Sequence, residues 1–218
     1  MSVWVRASAL GALALLLAAP ALGKPIAFAR GQTVMAEYGG ATMTEVQYFY
    51  APKYWWSGGI GRTTLEAEDG SFEREIVYAR ANLLVKRWNL PNAQANVFLW
   101  GGLGEASGDT FAGGELTRNA GLQVDYETRR VYSSIKSDLF ESDAFSHRID
   151  TLQLGLAPYL HDYDTLASWV VVQGRRYSGG IAEDTEAALL VRLFKGGVWV
   201  EAGVTDDGHL QAMFMFNF

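Results

Sequence analysis

Apolar residues return at every second position along most of this chain. Arg80 and Asn82 interleave with Val77, Ala79, Ala81, Leu83 and Val85, and Gln123, Asp125 and Glu127 with Leu122, Val124 and Tyr126. Gln153 falls between Leu152 and Leu154, and Glu186 and Arg192 interleave with Ala187, Leu189, Val191 and Leu193. The last nine residues repeat the pattern, with Leu210, Ala212, Phe214, Phe216 and Phe218 on one side. A period of two places successive side chains on opposite faces of a strand, so each segment has one apolar and one polar face. Helical spacing is almost absent, and Gly, Asp and Ser clusters between the runs read as turns. The pattern predicts an all-β, antiparallel, up-and-down sheet of about twelve strands, with ten as the alternative. They span roughly 31–38, 42–51, 53–65, 74–88, 94–106, 114–128, 130–141, 147–160, 165–178, 184–195, 197–205 and 209–218.

The terminal strand, with Phe214, Phe216 and Phe218 in alternation, resembles the closing strand of Gram-negative outer-membrane β-barrels. The resemblance implies that these residues form the assembly signal read by the barrel-assembly machinery. The other end of the chain agrees with it. Arg6 precedes a short apolar run from about Ala9 to Ala19, followed by Pro20 and small residues, the layout of a secretory signal peptide. That run is too short to span a membrane as a helix, which takes roughly 20 apolar residues. Cleavage is expected after Gly23 or Ala29, leaving residues 30–218 as a single transmembrane β-barrel domain exported to the outer membrane. Outer-membrane lipid and lipopolysaccharide are then its expected surroundings.

The rest of the composition narrows the options. Cysteine is absent, so neither a disulfide framework nor a thiol site exists. The formal net charge is −6 and no basic stripe is present, so nucleic acid is not an expected partner. Nothing in the pattern calls for a cofactor.

An even strand count returns both ends of the domain to the periplasmic side, with short turns there and longer loops outside. Aromatic residues should then gather at the two membrane boundaries. Tyr50, Tyr54, Trp55, Trp88, Tyr126, Tyr132, Tyr159, Tyr163, Phe194, Trp199 and Phe218 are expected to form the periplasmic belt. Tyr38, Phe72, Phe111, Phe140, Phe145 and Tyr177 are expected to form a thinner outer girdle.

In lipid the apolar face must point outward and closure must satisfy the backbone, so the polar face lines the lumen. The expected pore-lining set is Arg80, Asn82, Lys86, Asp125, Lys136, Asp138, Arg175, Glu186, Arg192 and Glu201, with Gln94, Asn96, Gln123 and Gln153 beside them. Mixed charge on this face suits either a narrow passive pore for small polar or charged solutes or paired networks that fill a structural barrel. A hydrolytic barrel acting on lipid or peptide is the alternative. Ser146 and His147, near Asp143, are the pair to examine for it, because a base beside a hydroxyl activates a nucleophile. A third option is surface binding, including metal association, through acidic loops such as Glu66, Glu68, Asp69 and Glu73, although their spacing matches no defined metal loop.

Overall fold

The computed structural model describes residues 30–162 and 165–218; the signal peptide assigned to residues 1–29 and the belt position of Tyr163 fall outside the described residues. Twelve strands follow in chain order: β1 Gly31–Gly39, β2 Met43–Lys53, β3 Trp56–Glu66, β4 Glu73–Leu90, β5 Ala93–Gly108 and β6 Glu115–Thr128. They continue as β7 Val131–Glu141, β8 Ser146–Leu156, β9 Ala167–Tyr177, β10 Thr185–Lys195, β11 Val198–Thr205 and β12 Leu210–Asn217. Each pairs antiparallel with its neighbours, and β1 pairs with β12 from Thr33↔Asn217 to Gly39↔Gln211. The N–H and C=O of Gln32 and Phe218 are joined at the seam by bonds of 2.7 and 2.9 Å. The barrel is therefore closed, and among the described strands none is left as a free edge.

The two ends differ. At one, strands are joined by the two-residue turns 54–55, 91–92, 129–130 and 196–197 and by the longer connection 157–166. At the other lie the loops 40–42, 67–72, 109–114, 142–145, 178–184 and 206–209. β8 stops at Leu156, short of the expected residue 160, because Pro158 has no N–H to donate; Ala157 makes the last bond, to the carbonyl of Arg130 at 2.8 Å.

Alternation sorts the two faces cleanly. Val46, Ile60, Val77, Leu99, Leu103, Leu122, Ile135, Leu154, Val172, Leu189 and Val204 all stand exposed on the outside. Glu45, Gln47, Asn96, Asp125, Asp138, Gln173, Arg175, Arg192 and Glu201 are buried inside. A water-soluble barrel has the reverse arrangement; a continuous apolar exterior around a charged interior is stable only in lipid.

One face assignment changes through a bulge. On β4 the register slips between Leu84, opposite Phe98, and Lys86, opposite Val97. The extra residue reverses the parity of the rest of the strand. Lys86, expected in the lumen, consequently points outward, 5.8 Å from the ring of the exposed Trp88. Arg87 takes the inward place and donates to Asn96 Oδ1 at 2.7 Å.

Candidate functional site: the barrel interior

The interior divides into two sectors. In the first, spanning β2 to β7, side chains fill the space. Glu45 Oε1 accepts from Tyr78 Oη at 2.5 Å and from Thr63 Oγ1 at 2.8 Å. Asp138 Oδ1 accepts from Trp100 Nε1 at 3.0 Å and from Asn119 Nδ2 at 2.7 Å. Its Oδ2 faces Arg80 Nη1 at 3.4 Å and Lys136 Nζ at 3.9 Å. The guanidinium of Arg80 lies 5.2 to 5.4 Å from the rings of Phe49, Tyr78 and Trp100. Two glycines make room for the large rings. Gly61 is opposite Tyr78 and Gly121 opposite Trp100, and an added Cβ would come within 2.4 Å and 2.3 Å of those rings. Toward the turn end the same sector holds Asn82 on Ser57 at 3.0 Å, and Asp125 accepting from Asn96 at 2.6 Å.

At the loop end an apolar cluster packs inside the mouth, with Leu65, Ile76 and Phe140 from this sector and Ile149, Tyr177 and Ile181 from β8, β9 and the loop that follows. The 178–184 loop dips inward, with Ile181 fully buried and its carbonyl accepting from Glu68 N at 2.8 Å. Phe72, Phe111 and Phe145 surround the Arg74 guanidinium at 4.1 to 5.3 Å. The expected outer girdle is thereby corrected: Phe140 and Tyr177 are buried in the plug, and Phe72, Phe111 and Phe145 pack against it, leaving Tyr38 exposed outside. The periplasmic belt loses three members for the same reason. Tyr132, Phe194 and Trp199 face the lumen, whereas Tyr50, Tyr54, Trp55, Trp88, Tyr126, Tyr159 and Phe218 are exposed as expected.

His147 belongs to this plug. It contacts Arg74 through Nε2, faces the Ser178 carbonyl through Nδ1 at 3.4 Å, and stacks on Phe145 at 4.9 Å. Ser146, its neighbour on β8, is on the opposite face and exposed, as the pleat requires. The two side chains cannot form the nucleophile and base pair considered from the sequence. Among the described residues, no three His, Asp or Glu side chains converge as a metal site.

The second sector, β8 to β12 with β1, holds an apolar cluster of Ala167, Trp169, Val171, Ala188 and Leu190, with longer polar side chains beside it. Arg192 lies between the rings of Tyr132 and Trp199 at 4.3 and 4.5 Å and donates from Nε to Glu201 Oε1 at 2.9 Å. Its Nη2 donates to Gln153, which donates to Gln173, which donates to Gln211, each at 2.7 Å. Gln211 in turn donates to Glu186, and Arg175 pairs with Glu37. Beside this ladder runs a cavity of about 100 Å³, lined by Glu37, Lys136, Gln173, Arg175, Arg192 and Glu201 among others.

Of the expected lining residues, Arg80, Asn82, Asp125, Lys136, Asp138, Arg175, Glu186, Arg192 and Glu201 face inward, but they do not share one path. Lys136, Arg175, Arg192 and Glu201 border the cavity, while Arg80, Asn82 and Asp125 are locked in the filled sector. Glu37, Glu45, Gln173 and Gln211 were missed; period-two placement alone would have found them. Phe214 and Phe216 are on the outer face of β12, and Phe218, directly after it, stacks on Phe216 at 5.3 Å.

The chain is a twelve-stranded transmembrane β-barrel. No family model matches its sequence, and no curated protein matches it either. Among solved structures it is similar to a KdgM porin in complex with disordered oligogalacturonate, at 9% identity and a TM-score of 0.47, covering 86% of this chain and 99% of that one. A second KdgM porin structure gives 8% identity, the same TM-score and the same coverage. A third likeness, titled for the in-meso crystallization of membrane proteins, has 10% identity and a TM-score of 0.38.

Proposed function

We propose that the protein is an integral outer-membrane barrel, with its loop end outward, that passes water and small polar solutes by diffusion along the β8–β1 wall. The observation that carries this reading is the 100 Å³ polar cavity beside the glutamine ladder. A water needs about 10–15 Å³ of such space, so the cavity holds several waters and no large hydrated solute. Arg175, which lines it, leaves its Nε without a protein partner, as suits a wet wall.

The charge of the path is set by few groups. Arg175 and Arg192 are paired with Glu37 and Glu201, whereas Lys136 lies 3.9 Å from an Asp138 that also serves Arg80, and keeps about a third of its side chain exposed. Among the described residues bordering the cavity, Lys136 is the cation with the longest ion pair, and it favours anions weakly. The outward row Phe214, Phe216 and Phe218 serves as the assembly signal.

Planar-bilayer conductance of the refolded mature chain tests the reading. Small discrete steps are expected, far below those of a sixteen-stranded porin, and lost on Gln173→Trp, which fills the cavity. A folded barrel without conductance would make the interior a structural filling and refute the pore.

A further inference from the structure

The outer wall is uneven at the loop end. On β10, β11, β12 and β1 the outward positions there are Ala187, Leu189, Ala202, Val204, Ala212 and Tyr38, none of them charged. On β8 and β9 the outward positions are Arg148, Asp150 and Arg176. Asp150 stands directly opposite Arg176 across the strands, and the Arg148 carbonyl accepts from Ser178 N at 2.9 Å, two residues further on. Arg148 Nε donates to Asp150 Oδ1 at 3.0 Å and to Ser137 Oγ at 3.1 Å. Arg176 forms no ion pair among the described residues. Asp150 therefore pairs with Arg148 alone, and the three groups together carry a net positive charge.

Their height locates the partner. Arg176 is ten residues along the chain from the exposed Leu166, about 25 Å along the membrane normal at the usual rise and a tilt near 40°. The apolar band of such barrels is about 25 Å tall, so both guanidiniums reach the outer rim of the hydrocarbon, where lipid headgroups begin. A guanidinium fork matches the oxygens of a phosphate in a bidentate contact, and the contact strengthens at the edge of a low-dielectric layer.

We propose that Arg148 and Arg176 form a binding site for the phosphate of an outer-leaflet phosphorylated glycolipid, held on this one side of the barrel. The proposal rests on the outward orientation of the loop end given above. A free phosphate would gain no anchorage from the neighbouring apolar wall, whereas acyl chains lie along Leu152, Leu154, Val170 and Val172, all exposed just below the pair.

The test is native mass spectrometry of the full mature barrel in detergent, with bisphosphorylated lipid A, fully dephosphorylated lipid A and phosphatidylglycerol as probes. Lipid A should be retained as a discrete adduct, and Arg148→Gln with Arg176→Gln should weaken it about tenfold or more. Arg148→Lys with Arg176→Lys should restore part of the binding, and Lys195→Gln at the other end should leave it unchanged. Heat-modifiable migration on a gel verifies that each variant is folded. Equal retention by the Gln double variant, or equal retention of dephosphorylated lipid A or of phosphatidylglycerol, would overturn the site. A wild-type chain that never becomes heat-modifiable would instead remove the transmembrane reading itself.

Discussion

The two sectors of the interior obey the same period-two rule and differ in what that rule delivers. In β2 to β7 the inward positions carry rings, Phe49, Tyr78, Phe98, Trp100 and Phe140, and glycines opposite two of them let the rings lie across the sheet. In β8 to β12 an apolar cluster around Trp169, Val171 and Leu190 fills part of the space, and the inward Gln153, Gln173 and Gln211 bond to one another in a thin polar ladder with a cavity beside it. Strand number fixes how much room a barrel has, and twelve strands enclose more than side chains must fill. The volume of the inward side chains then decides which part of that room is wall and which is path.

The largest expected effect comes from emptying the filled sector. Trp100→Ala removes a buried ring and the Nε1 donor to Asp138, and should destabilise the barrel by about 3–5 kcal/mol. It should also raise conductance by opening a second path. Urea titration in micelles and bilayer recording check the two halves of this statement; a loss of stability with unchanged conductance would mean the sector collapses rather than opens.

A smaller effect separates the charges by sector. Lys136→Glu should move the reversal potential in a salt gradient toward cation preference, because this amino group borders the cavity. Arg80→Gln should leave the reversal potential unchanged and cost about 1–3 kcal/mol of stability, since its guanidinium is enclosed by three rings and Asp138. Equal shifts in reversal potential from the two variants would erase the distinction between wall and path. The smallest effect is expected of Lys86→Glu, which the β4 bulge places outside the barrel. Selectivity should not respond to it.

Much of the architecture was legible because alternation survives any choice of residue type. Twelve strands, their order and the inward set from Arg80 to Glu201 follow from parity, and nearly all strand boundaries fall within a few residues of the structure. The bulge at Leu84 to Lys86 was not legible, since no glycine or proline marks it and one inserted residue reverses every face after it. Aromatic residues misled in a different way. Tyr132 and Trp199 sit among residues that suit either face, and a ring is equally at home at a lipid boundary and inside a packed barrel. The same ambiguity turned Phe140 and Tyr177 from an outer girdle into a plug, and hid Glu45 and Gln47, which alternate with Thr44, Val46 and Tyr48. His147 drew attention by its chemical type, but only the packing of Arg74 and Phe145 shows that it holds the plug together.

The absence of cysteine from the chain makes the central claim directly measurable. Gln173→Cys and Asn119→Cys place one thiol in each sector of the folded barrel, and a small, water-soluble, charged methanethiosulfonate reports which of them water reaches. Rapid labelling at position 173, with position 119 reacting only after heat unfolding, is the predicted result. Equal labelling of both, or protection of both until unfolding, would contradict the division of the interior into a wet path and a filled wall.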